Sequence, residues 1–137
     1  MIREVAQERT GWRDQRISER HRMWGFDCPA LDIDFLMLEY DRGVPSALVE
    51  FKHEAAPPVR MEHPSIRALS LLCNRASLPF FLVRYADDFS WFGVTPGNDR
   101  ASQFVPEPVR LNEEEWIKLL YYCRGRTVPE KLATQIV

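Results

Sequence analysis

Two apolar stretches, LDIDFLMLEY and ALVEFKHE, carry Asp32, Asp34, Glu50 and Lys52 within 21 residues of one another. Carboxylate oxygens are natural ligands for hard divalent cations, and magnesium takes one or two of them together with waters and phosphate oxygens. A lysine ammonium beside them can orient an attacking water or offset charge growing on a phosphorus oxygen. The chemistry such a set supports is metal-assisted cleavage of a phosphodiester. It requires the side chains to meet, and that is a question of strand register.

Both stretches are rich in strand formers, and the Asp41-Arg42-Gly43 between them fits a three-residue hairpin loop, with the glycine at the position that needs a left-handed backbone. With that loop Tyr40 lies opposite Val44, Leu36 opposite Leu48, Asp34 opposite Glu50 and Asp32 opposite Lys52. Alternation then sends the four charged groups to one face and Ile33, Phe35, Met37, Ala47, Val49 and Phe51 to the other, a core surface. A two-residue loop would shift the register by one and separate Asp34 from Glu50. Two carboxylates placed directly across a strand pair repel, and a divalent cation, Mg2+ or Mn2+, removes the conflict. The backbone carbonyl of Phe51 completes the expected protein ligands, and Asp32 is the alternative to Asp34 as the primary one.

The arrangement of Asp34, Glu50 and Lys52 in LDIDFLMLEYDRGVPSALVEFKHE resembles the PD-(D/E)XK nuclease superfamily, in which an Asp on one strand precedes Glu-x-Lys on the next. The resemblance spans roughly residues 12 to 95 and extends to Glu19, where that family often places a further carboxylate near the metal. Pro29 stands three residues before Asp32 instead of beside the Asp, and a first core strand is absent unless WGFDC supplies it. The resemblance implies an α/β domain with a central mixed sheet flanked by helices, a restriction-endonuclease-like core, and Mg-dependent cleavage of DNA or, less often, RNA.

The remaining elements must position this hairpin. The spacing predicts a helix over about 2–23, a loop over EAAPPVRMEH, and an amphipathic helix from Pro64 whose Ile66, Leu69, Leu72, Cys73 and Ala76 share a face. Two strands follow around Asp87-Asp88, then a proline-marked irregular segment to Arg110. Asn112 with Glu115 forms a capping box for a last helix to about Cys123, with Leu111 and Trp116 as its hydrophobic staple. The tail from Arg124 shows no pattern. The domain reading is a single nuclease-like unit over 1–137: a helical region at 1–24, a sheet core at 25–95 and a C-terminal helix at 111–124.

At 137 residues and 45% hydrophobic content the chain can bury one core. No apolar run is long enough for a membrane helix and the first residues are charged, so the expectation is a cytoplasmic protein with no membrane partner. Cys28, Cys73 and Cys123 form no metal or disulfide pattern and read as buried thiols. A net charge of −2 argues against non-specific coating of nucleic acid. Yet fifteen of the eighteen basic residues are arginine, and six fall in the first 22 residues. Of these, Arg13, Arg16 and Arg20 are the candidate phosphate contacts, against a bland reading as a solvated helix face. His53 and Glu54 read as a solvated strand end or as support for the site. The resulting expectation is an endonuclease or exonuclease acting on nucleic acid, DNA foremost and structure-selective, working as a homodimer. Asp34, Glu50, Lys52 and Glu19 are its catalytic residues. The alternative is a non-catalytic nucleic-acid-binding or protein-interaction module on the same fold.

Overall fold

The hairpin forms, and its register is set in a way the loop alone does not reveal. The computed structural model describes residues 15–24 and 27–130. In it β1 (Phe35–Glu39) runs antiparallel to β2 (Val44–His53), with Leu36 opposite Leu48 as the sequence predicts. The turn, however, is longer by one residue. Tyr40–Arg42 make one 3-10 turn, closed by Gly43 with φ 62°, so that Glu39 pairs with Val44. The register slips between Met37 and Leu38, where Ala47 and Pro45 are the successive partners and Ser46 is left over. This is a β-bulge, and its cause is legible: Pro45 has no N–H to give the ladder, and a bulge is one of the few places in a sheet where proline is accommodated. The extra turn residue and the extra strand residue cancel.

The chain continues through α2 (Pro64–Ala76), β3 (Phe80–Tyr85), β4 (Phe92–Pro96), α3 (Asp99–Ser102), β5 (Val109–Leu111) and α4 (Glu113–Cys123). The five strands lie in sequence order, antiparallel except for β2 and β3, whose parallel pairing requires the crossover that α2 provides. The domain is therefore α/β with a mixed sheet covered by helices on both faces. On one face Ala47, Val49, Phe81, Val83, Phe92 and Val94 pack with Ala101 of α3 and Trp116 of α4, joined by Phe35, Met37 and Phe51 as expected. On the other, Leu48 and Phe80 pack with Ile66, Leu69 and Cys73 of α2. Ile33, Leu72 and Ala76 do not join either core; α2 meets the sheet on a narrower stripe, with Leu72 turned to solvent.

The chain divides into two compact units, Met1–Asp32 and Ile33–Val137. In the first, α1 (Gln15–Trp24) is the described part of the helix predicted over 2–23, and residues 27–28 form a turn and a bend where WGFDC was a candidate strand. His21 Nε2 lies 2.7 Å from the Cys28 carbonyl oxygen. Cys28 itself is exposed, against the expectation of a buried thiol, because its neighbours along the chain are exposed too. Cys73 and Cys123 do sit in apolar surroundings, and burial raises both thiols to about 11. No described helix is long and apolar enough to cross a membrane.

The segment expected to be irregular up to Arg110 is organised by Asn98. Its Oδ1 accepts from Phe80 N at 3.0 Å and from Ala101 N at 2.9 Å, and its Nδ2 donates to the Leu78 carbonyl at 2.8 Å. One side chain thus caps α3 and fastens the start of β3. Gly97 precedes it because nothing larger fits: a Cβ there would stand 2.4 Å from the Phe80 ring. The residues just after α4 are also tied down. Arg124, the C-cap of α4, donates from Nε and Nη2 to the buried Glu39 carboxylate at 2.9 and 3.1 Å, and Arg126 Nη2 reaches the same carboxylate at 2.9 Å.

Two outcomes follow from these contacts. Gly97→Ala should lower unfolding free energy by about 1–3 kcal/mol through overpacking against Phe80. By contrast, Gly43→Asn should cost less than about 1 kcal/mol, since Asn tolerates the left-handed backbone and a Cβ at 43 meets nothing within 4 Å; urea denaturation measures both. The hydrogen bond from Arg124, with the charges of Arg124, Arg126 and Arg42, holds Glu39 below its ordinary value of 4.5. A depressed carboxyl adds stability that is complete above the unfolded value and lost as pH falls through the folded one. Melting temperature should therefore fall with pH below about 4.5, and Glu39→Gln should flatten that part of the curve.

Candidate functional site

Asp34 is where the ladder stops. β1 begins at Phe35, so the expected cross-strand pairs Asp34 with Glu50 and Asp32 with Lys52 are not part of the sheet. The reason is a competition within the chain: the Asp34 carboxylate accepts the Phe51 N–H at 3.0 Å, taking the place a main-chain carbonyl of a longer β1 would occupy. The carboxylate is thereby carried to the edge of β2, beside the peptide between Glu50 and Phe51. In an extended strand a residue's N–H and C=O leave on the same side. The Phe51 carbonyl therefore points to the edge that Asp34 occupies.

Glu50 and Lys52 follow Leu48 by alternation and emerge on the α2 side of the sheet, opposite the face of Val49 and Phe51. Glu50 is only 8% exposed, an unusual place for a carboxylate. Lys52 is half-buried and lines a cavity of about 190 Å³ with Pro58, Val59, Leu82, Arg84 and Thr95. The structure thus gathers Asp34, Glu50, Lys52 and the Phe51 carbonyl around two successive peptides of β2. Glu19, Arg16 and Arg20 lie on α1 of the first unit and Asp32 is the last residue of that unit, while Arg13 falls outside the described residues.

Arg84 is the residue the sequence reading passed over. It is the partner of Lys52 in the parallel β2–β3 pair, and its guanidinium turns to the chain leaving β2. Nη1 donates to the carbonyls of His53, Glu54 and Ala56 at 3.4, 3.1 and 2.7 Å, and Nη2 to that of Pro57 at 3.2 Å. A rigid five-donor fork is suited to collecting scattered carbonyls in this way. The signal was available: Arg84 is the single charged residue in FFLVRY. His53 supports the same loop. Its Nδ1 accepts from Ala55 N at 3.0 Å, which leaves the proton on Nε2 for Asp87 Oδ1 at 2.9 Å. It is a loop anchor and not a solvated strand end.

The groups this stretch offers, the Asp34 and Glu50 carboxylates and the Phe51 carbonyl, are all oxygen donors, the kind that Mg2+ or Mn2+ takes and a thiolate- or imidazole-loving metal does not. Among the described residues no group of three or more His, Cys, Asp and Glu side chains is gathered. A cation held here would keep most of its coordination sphere for water and substrate, as magnesium commonly does. No family model, no curated protein and no solved structure matches the chain.

The Asp34 contact separates structure from ligand binding. Asp34→Asn retains a side-chain oxygen for the Phe51 N–H and should unfold within about 1 kcal/mol of the parent, whereas Asp34→Ala should lose about 1–2 kcal/mol. If both variants melt like the parent, the hydrogen bond does not fix this end of β1.

Proposed function

We propose that the chain is a metal-dependent nuclease that hydrolyses phosphodiester bonds in nucleic acid, with a restriction-endonuclease-like core. The observation that carries this reading is the docking of the Asp34 carboxylate on the Phe51 N–H, one residue from Glu50 and from Lys52. It brings together the three residue types of the Asp and Glu-x-Lys pattern on neighbouring backbone. Their place near the carboxyl end of a parallel strand supports the reading further, since open α/β sheets commonly bind ligands there.

In this reading Asp34, Glu50 and the Phe51 carbonyl hold Mg2+ or Mn2+. The bound cation supplies charge stabilisation at the phosphate and lowers the pKa of water. The hydrogen bond from Phe51 fixes one oxygen of Asp34 and presents the other. Burial restricts Glu50 to few rotamers, so little ordering remains to be done when a ligand arrives. The Lys52 ammonium donates to the attacking water or to the phosphate oxygen on which charge grows. Arg84 acts at one remove by holding the loop over Lys52. Arg13, Arg16 and Arg20 supply phosphate contacts. DNA of branched or flapped shape, cut by a homodimer, is the substrate class proposed.

The competing reading is a nucleic-acid-binding module without turnover. It is favoured by the absence of a third clustered acid among the described residues. A cleavage assay on supercoiled, branched and single-stranded DNA and on RNA decides between them. The nuclease should cut at least one of these with Mg2+ or Mn2+ and stop in EDTA. Glu50→Ala and Lys52→Ala should reduce the rate by about 100-fold or more while still binding substrate. Binding without cleavage in the parent protein, whatever the metal, selects the module instead.

A further inference from the structure

The turn end of the sheet holds a second concentration of chemistry. A cavity of about 180 Å³ is lined by Arg42 of the 3-10 turn, Arg100 of α3 and Arg124 of the α4 C-cap, with Glu39, Ser46 and Ser77. Three guanidiniums thus face one carboxylate. That carboxylate is already engaged, by the Nε and Nη2 of Arg124 and by Arg126. The pairing locks Arg124, whose guanidinium also lies 4.8 Å from the centre of the Tyr121 ring. Arg42 and Arg100 are exposed and enter no ion pair among the described residues.

The second observation is Ser46, the bulged residue. It is 9% exposed, and its Oγ has no hydrogen-bond partner among the described residues. A buried hydroxyl without a partner is unfavourable, and a ligand bringing an acceptor relieves it. A cation is repelled from such a lining. A neutral ligand leaves its charge unused. An anion with several oxygens can take the Ser46 hydroxyl and arginines from three separate elements at once, and the arginine fork matches phosphate oxygens in particular.

We propose that this cavity binds a phosphate monoester dianion, with the guanidiniums of Arg42, Arg100 and Arg124 as charged donors and Ser46 Oγ as the buried one. Ser46 and Lys52 are six residues apart on β2, about 20 Å in an extended strand. The site is therefore separate from the candidate nuclease centre and does not depend on that reading. The monoester can be the terminal phosphate of a nucleic acid or a free small ester, and the two differ only in what lies beyond the phosphate.

Titration calorimetry on the full chain tests it, using inorganic phosphate, a nucleoside 5'-monophosphate, and one oligonucleotide with either a 5'-phosphate or a 5'-hydroxyl, in metal-free buffer of constant ionic strength. Saturable binding of inorganic phosphate is expected, weakened at least tenfold in the Arg42→Ala/Arg100→Ala double variant. Ser46→Ala should weaken it about threefold or more while the free protein melts at the same or a higher temperature, since the deleted hydroxyl had no partner to lose. A 5'-phosphate oligonucleotide that binds more tightly than its 5'-hydroxyl form assigns the site to nucleic-acid ends; equal binding of the two oligonucleotides, with phosphate still bound, assigns it to a small ester. No saturable phosphate binding, or variants that bind like the parent, overturns the proposal.

Discussion

The pairing of β1 with β2 is the constraint on which the other features rest. Side chains alternate with a period of two, so any slip of one residue would exchange the faces of the whole strand. The chain reaches its register by two compensating irregularities, a 3-10 turn closed by Gly43 and a bulge at Ser46 beside Pro45. Because the two cancel, Phe35 and Met37 meet the core under α4, and Asp34 arrives at Phe51. Glu39 shares the face of Phe35 and Met37 by the same alternation, which is why it can be buried against the C-cap of α4 rather than left in solvent. A carboxylate there without its arginines would be strongly unfavourable. Register and ion pair therefore depend on each other.

β2 is the strand from which both ends of the domain are organised. Its middle, Ala47 to Val49, is buried on both faces, one residue feeding the core under α2 and two the core under α3 and α4. The chain at each of its ends is pinned by a charged or amide group from a remote element. Arg84 gathers four carbonyls from His53 onward, while Arg124 holds Glu39 next to the turn and Asn98 fastens the adjoining start of β3. Loops carry little apolar surface, so their order has to come from such contacts. The candidate metal ligands sit at one of these pinned ends. Their geometry is set by a hydrogen bond and by burial, not by mutual attraction, which two carboxylates lack.

How much of this could be read in the sequence divides along physical lines. Periodicity and turn chemistry carry local information, so the strand pair, the α2 start at Pro64 and the Asn112–Glu115 capping box were legible, the last with both reciprocal bonds present. Pairings between distant positions were not. Nothing local marks Arg124 as the partner of a residue 85 positions earlier, or Asn98 as the cap that turns an apparently irregular stretch into α3. Pro45 was the neglected clue: its missing N–H announces a bulge, and the expected three-residue loop followed from Gly43 alone. At the site, the residue types were legible but the continuation of the ladder was not, because a side-chain carboxylate competes with main-chain carbonyls for the Phe51 N–H.

Net charge is the poorest guide of all to where this chain meets its ligands. A total of −2 conceals an uneven distribution. Acids are drawn into roles that remove them from the field seen by a ligand: Glu39 is neutralised by two arginines, Glu115 closes the capping box, and Asp87 accepts from His53. Screening limits what remains to roughly 10 Å at ordinary ionic strength. A phosphate approaching either end of β2 therefore responds to the few charges lining that end, and at the turn end those are three guanidiniums against one engaged carboxylate. Local imbalance of this kind is set by the fold, since the arginines come from three elements that only the sheet brings together. A near-neutral chain can accordingly hold strongly basic sites without the solubility and self-repulsion consequences of a basic protein.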